Sequence, residues 1–123
     1  MTLIKLILTT VVFFTSTFAF SQSSKNNKMN LKELHKDSIG VQTNVLFPAT
    51  EGKVISLQIL KGNTLKEHLS KVPALLVCVT GNAIYEDEKG IKVTLKSGDF
   101  IKIEPNVKHW INGIKDSNLL LIK

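Results

Sequence analysis

From residue 41 onward the chain alternates apolar and polar positions in short bursts bounded by turn residues, a period of two that sends successive side chains to opposite faces of a strand. Residues 41–47 read as a strand stopped by Pro48, and 54–60 as a second whose alternation is clearest in its later half. Lys61, Gly62 and Asn63 turn the chain into an extended stretch at 64–69. Pro73 opens the apolar run 74–79, Gly81 and Asn82 turn it, and 83–86 pairs with 91–95 across a tip made of Asp87, Glu88, Lys89 and Gly90. Past the turn at Ser97, Gly98 and Asp99, strands are expected at 100–103, 109–111 and 119–122, with Glu104, Pro105 and Asn106 looping between the first two. Short strands with turn signals at this regular spacing argue for an all-β sandwich or barrel. No long helical period is present to supply the crossovers of a parallel sheet. Upstream, Leu31 and Leu34 share one side of a turn or two of amphipathic helix at 31–37, which Gly40 would stop.

The start of the chain follows another pattern. Lys5 precedes an apolar or hydroxylic run at 6–20, and Ala19, Phe20 and Ser21 place small residues before a cut at Gln22, the layout of an export signal. A membrane helix needs ~20 apolar residues, and this run is shorter and interrupted by Thr9, Thr10, Thr15, Ser16 and Thr17. The mature protein is therefore expected to be periplasmic or secreted, with no stable membrane insertion once 1–21 are removed. Residues 22–30 are polar and aperiodic and read as a flexible tether, which leaves 31–123 as one barrel domain.

Charge narrows the partners. The net charge is +6, yet every basic side chain is a lysine and the lysines are scattered rather than blocked. Base reading and phosphate clamping favour the guanidinium fork, so nucleic acid is not expected as a partner. The single cysteine, Cys78, cannot close a disulfide within the chain, and its valine neighbours mark it as a buried small hydrophobe.

Two histidines carry the chemistry. Gly62 stands six residues before His68 and Gly98 eleven before His109. A glycine, a strand and an inward histidine, repeated once, would bring two imidazoles into one pocket. Gly62, His68 and Gly81, followed by Gly98, Asp99, Pro105 and His109 with Asn112 close behind, form a layout that resembles the paired motifs of the cupin superfamily over about 54–123. The resemblance implies a double-stranded β-helix, or jelly-roll barrel, that assembles as a homodimer. In metal-binding cupins the first motif runs glycine, five residues, histidine, one residue, histidine, three or four residues, glutamate, six residues, glycine. Its ligand positions fall here on His68, Ser70 and Ala74, and the second motif supplies His109. The implied cofactor is thus none, or a divalent metal held weakly by His68 and His109.

Strand geometry adds the walls. Residues two apart share a face, so His68 and Ser70 are expected to point inward, with Glu67 and Leu69 outward and Leu76 and Cys78 inward on the following strand. The expected ligand pocket comprises His68, Ser70, Leu76, Cys78 and His109, and is mostly apolar. Catalytic zinc wants three protein ligands and non-haem iron two imidazoles with a carboxylate, so two imidazoles alone leave a metal one donor short. No acidic residue is expected inward beside either histidine, Glu86, Asp87 and Glu88 being read as a solvated hairpin tip. No residue is therefore assigned a catalytic role. Trp110 is expected on the face opposite His109, packing or contacting a subunit. The function that follows is binding or sensing of a small organic molecule. The alternatives are a metal-dependent dioxygenase or isomerase with a reduced ligand set, and an accessory protein that binds a protein partner through its outer sheet and edges.

Overall fold

The computed structural model describes residues 28–35 and 38–123. The export signal read at 1–21 and the tether at 22–27 lie outside the described residues. The described residues form nine strands in chain order: β1 Met29–Asn30, β2 Val54–Ile59, β3 Thr64–His68, β4 Ala74–Thr80, β5 Asn82–Asp87, β6 Lys92–Lys96, β7 Asp99–Ile103, β8 His109–Gly113 and β9 Ser117–Ile122. They form two antiparallel sheets, β1-β7-β4-β9-β2 and β3-β8-β5-β6. From β2 to β9 every connection except the β5–β6 hairpin passes from one sheet to the other, which is the winding of a jelly roll.

The core lies between the sheets. Ile59, Ala74, Leu76, Cys78, Ile101, Ile103 and Leu119 face in from the five-stranded sheet, and Ala83, Tyr85, Val93, Leu95 and Ile111 from the other. β4 is apolar at nearly every position because it pairs with β7 on one side and β9 on the other, leaving no edge and little surface to solvate.

Three expectations upstream change. Residues 41–53 form no strand, and Val41 and Val45 stand almost fully in solvent. Alternation makes a strand only where an edge accepts it, and residues 41–47 lie in neither sheet. The helix expected at 31–37 is a 3₁₀ turn over Leu31–Leu34 with no buried residue, capped by Asn30, whose Oδ1 accepts from the Lys32 N–H at 3.0 Å. The last residues of the expected tether, Met29 and Asn30, are strand, paired with Phe100 and Asp99. Polar side chains hold them there: Asn30 Nδ2 donates to Asp99 Oδ1 at 2.9 Å and Lys28 Nζ lies 3.5 Å from Asp99 Oδ2. Burial would push the Asp99 carboxyl up, but Asn30, the Lys96 N–H and Lys28 outweigh it and hold it below the ordinary range.

One irregularity positions the site. β3 pairs Leu65 with Ile111 and His68 with His109, three residues on one strand against two on the other, so β3 carries a bulge. Partners in an antiparallel pair share a face, and His109 and Ile111, two apart, share theirs. The extra residue therefore turns both Leu65 and His68 inward.

Candidate functional site

β8 lies between β3 and β5, so His109 has His68 as its partner on one side and Asp87 on the other. The three side chains form one row across the inner face. Next to it runs the pair Ile111–Leu65 together with Tyr85. The imidazole centroids are 4.3 Å apart with planes at 61°, an edge-to-face contact, and the Tyr85 ring stacks on His109 at 5.7 Å and 27°. His109 is 3% exposed, whereas His68 faces solvent and forms the open end of the row.

Hydrogen bonds set how the rings can act. His68 Nδ1 donates to the Lys66 carbonyl at 2.8 Å, and His109 Nδ1 to the Val107 carbonyl at 2.9 Å. A carbonyl only accepts, so each Nδ1 carries the hydrogen and each neutral ring keeps its acceptor at Nε2. The two turns are tied together as well: the Asn106 N–H donates to the Ser70 carbonyl at 2.7 Å, and Asn106 itself sits at φ +62°.

Burial drives the His109 imidazolium below the ordinary range, with His68 and Lys123 adding to the effect, while the Val107 carbonyl and Asp87 oppose it and lose. The unfolded chain then takes up this proton first as pH falls. Stability is unaffected where both states are neutral, is lost as pH drops through the ordinary imidazole range near 6.5, and levels off once native His109 is protonated. Urea unfolding at pH 7.5 and 5.5 should show this loss in the wild type and a smaller one in His109→Gln.

The residues expected to line the pocket separate. Ser70 is buried, but its Oγ donates to the Val72 carbonyl at 2.7 Å, because β3 ends at His68 and the chain is already turning. Its hydroxyl stabilises the turn instead of facing a ligand. Leu76 and Cys78 do point inward, as core residues with no accessible surface, and they line neither cavity described below. Burial pushes the Cys78 thiol up, with the charge of Asp99 adding to it, so the group is a packed hydrophobe.

Asp87 corrects the expectation of a solvated tip. It is 7% exposed and faces inward; Oδ1 accepts from the Lys89 and Ile91 N–H groups at 2.9 and 3.1 Å, and Oδ2 from the Tyr85 hydroxyl at 3.2 Å. β5 runs one residue further than expected, and the alternation Ala83, Tyr85, Asp87 carries the carboxylate to the inner face. That phase was available in the sequence. Burial, and then Asp87, push the Tyr85 hydroxyl well above its usual range, so it stays protonated. On the outer face Trp110 Nε1 donates to Glu86 Oε2, as the opposite phase requires.

Among the described residues, two hollows lie near the row. A cleft of about 320 Å³ lies beside the free edges of β2 and β3, lined by Leu57, Gln58, Ile59, Leu60, Asn63, Thr64 and Leu65. Leu65 is one residue pair from the imidazoles, roughly 7 Å along the strand at the usual rise. A smaller hollow, about 30 Å³, lies on the Tyr85–Asp87 side beneath the Lys89–Glu104 ion pair.

The same residues decide whether a metal would fit. The tautomers are those a metal-bound imidazole needs, but the donor count is not. Ser70 is turned away, Ala74 has no donor, and the Asp87 oxygens already accept three hydrogens. Among the described residues no group of three or more histidine, cysteine, aspartate or glutamate side chains is placed to hold a metal ion. The row does not fit a resident metal centre.

No model of a known family and no curated protein matches the chain. Solved structures do. A cupin superfamily protein from Desulfitobacterium hafniense aligns at 20% identity and TM-score 0.52, over 63% of this chain and 83% of its own. The Drosophila melanogaster CENP-C cupin domain aligns at 22% and 0.54, over 59% and 61%. YcfD, a ribosomal oxygenase from Escherichia coli that has been solved with cobalt and succinic acid, aligns at 18% and 0.53, over 56% of this chain and only 21% of its own. What the chain shares with all three is the course of its strands.

Proposed function

We propose that this chain, a cupin in its fold, is an exported module that binds a small organic molecule at the His68–His109 pair and performs no chemistry on it. One observation carries the reading: two imidazoles meet edge to face on the inner wall, each with Nδ1 tied to a carbonyl and Nε2 left as an acceptor. Supporting it, the adjoining cleft is of the size that small ligands occupy and has leucine and isoleucine along its walls. The donor set too sparse for a resident metal favours binding over turnover. Export rests on the leader pattern at 1–21, and the homodimer expected of such barrels belongs to the same proposal.

The test is a thermal-shift screen of a small-molecule library on metal-stripped protein. A ligand at a hundred times its dissociation constant stabilises by about 2.7 kcal/mol. In a domain of this size that raises Tm by about 10 °C or more. His68→Ala removes a solvent-facing ring and should keep the unliganded Tm while abolishing the rise, and His109→Ala should abolish it too. The proposal fails if no compound shifts the wild type, or if the shifts survive in His68→Ala.

A further inference from the structure

We infer that the imidazole pair selects organic ligands that donate hydrogen bonds, namely a protonated primary amine on an apolar body, and rejects carboxylates and phosphates. The inference rests on the binding reading above and names the ligand class for that same site.

It follows from where each polar hydrogen of the row goes. His68 Nδ1–H is given to Lys66 O and His109 Nδ1–H to Val107 O. The Ser70 hydroxyl, two residues after His68, gives its hydrogen to Val72 O. The Tyr85 hydroxyl gives its own to Asp87 Oδ2. Every side-chain hydrogen of these groups that could bind an acceptor is thus spent inside the protein. Two Nε2 lone pairs, the Tyr85 oxygen lone pairs and the charge of the buried, already hydrogen-bonded Asp87 carboxylate remain.

A carboxylate or phosphate entering here meets acceptors and negative charge and leaves its own oxygens unpaired, the costly outcome for a desolvated anion. An ammonium reverses each term. It offers N–H donors for the nitrogen lone pairs, and its charge is favoured by the Asp87 carboxylate, the neighbour of His109 across the sheet. Several cations nearby are already engaged: Lys89 is paired with Glu104, and Lys108 lies 3.9 Å from Glu67. Lys102 borders the far hollow, and Lys123 acts on His109 as an opposing charge. The apolar body has its place as well, over Leu65 into the cleft roughly two residue rises away.

The experiment uses the full chain, ¹⁵N-labelled and stripped of metal, with long-range ¹H–¹⁵N spectra of the imidazoles at pH 7.5. Hexylammonium chloride, sodium hexanoate and inorganic phosphate are the probes. Hexylammonium should move the Nε2 resonances of His68 and His109 saturably and leave both Nδ1 signals in place, while hexanoate and phosphate move neither. In His68→Ala the affinity for hexylammonium should fall about tenfold or more, the loss of one hydrogen bond to a charged donor. A saturable response to hexanoate or phosphate in place of hexylammonium overturns the selectivity and leaves the binding reading standing. Silence with all three probes overturns the selectivity, and the library screen then judges the binding reading separately. Undiminished affinity in His68→Ala places hexylammonium elsewhere and overturns the assignment.

Discussion

Replacing Gly81 with alanine should destabilise the protein by about 4 kcal/mol, from backbone strain and overpacking together, whereas Gly62→Ala should lose only about 1 kcal/mol. Both glycines adopt positive φ, +106° and +79°, so both substitutions carry the strain of a side chain there. Only Gly81 also lacks room. A Cβ on it would stand 2.4 Å from Ser117 Oγ, 2.5 Å from the Asp116 carbonyl and 2.6 Å from Ser117 Cα, while one on Gly62 meets nothing within 4 Å. Nor can the neighbour retreat. Ser117 Oγ accepts from the Asn82 N–H at 3.0 Å and donates to the Lys115 carbonyl at 2.8 Å, and Asp116 Oδ1 accepts from the Lys61 N–H at 2.9 Å. Guanidinium unfolding of the two variants measures the difference, and equal losses would show that the contact is not a constraint.

Asp87→Ala should be the most damaging change within the histidine row, at about 3 kcal/mol. The buried Tyr85 hydroxyl loses its acceptor, at about 1–3 kcal/mol, and the hairpin tip loses the bonds from Lys89 and Ile91. Asp87→Asn keeps one acceptor oxygen and should lose less. Urea unfolding of both variants, with near-ultraviolet circular dichroism reporting on Tyr85, checks the order. An alanine variant as stable as the wild type would leave the buried carboxylate without a structural role.

Particular residues show what could and could not be read from the sequence. The strands from Ala74 onward announce themselves because at least one face of each is largely buried, and burial enforces alternation. The stretch at 41–47 has the same alternation without a strand, since pairing depends on an edge elsewhere in the chain. Leu76 and Cys78 lie on the inner face, as their phase requires, but the phase does not tell a cavity wall from a packed interior; that depends on the strands flanking β4. Ser70 has the right spacing from His68 and the wrong surroundings, because the strand ends before reaching it. Asp87 was legible by counting from Ala83 and Tyr85, and its place among turn residues hid it.

The bulge in β3 turns the facing of the two imidazoles into a matter of counting. Leu65 and His68 share a wall only because an odd residue separates their rungs. A chain one residue shorter between them would place the histidine two positions after Leu65, where plain alternation points it inward opposite His109 with no bulge at all. The irregularity is thus what lets a strand with one residue too many for its ladder keep the two rings together, and deleting a single codon at this point should regularise the edge without parting them.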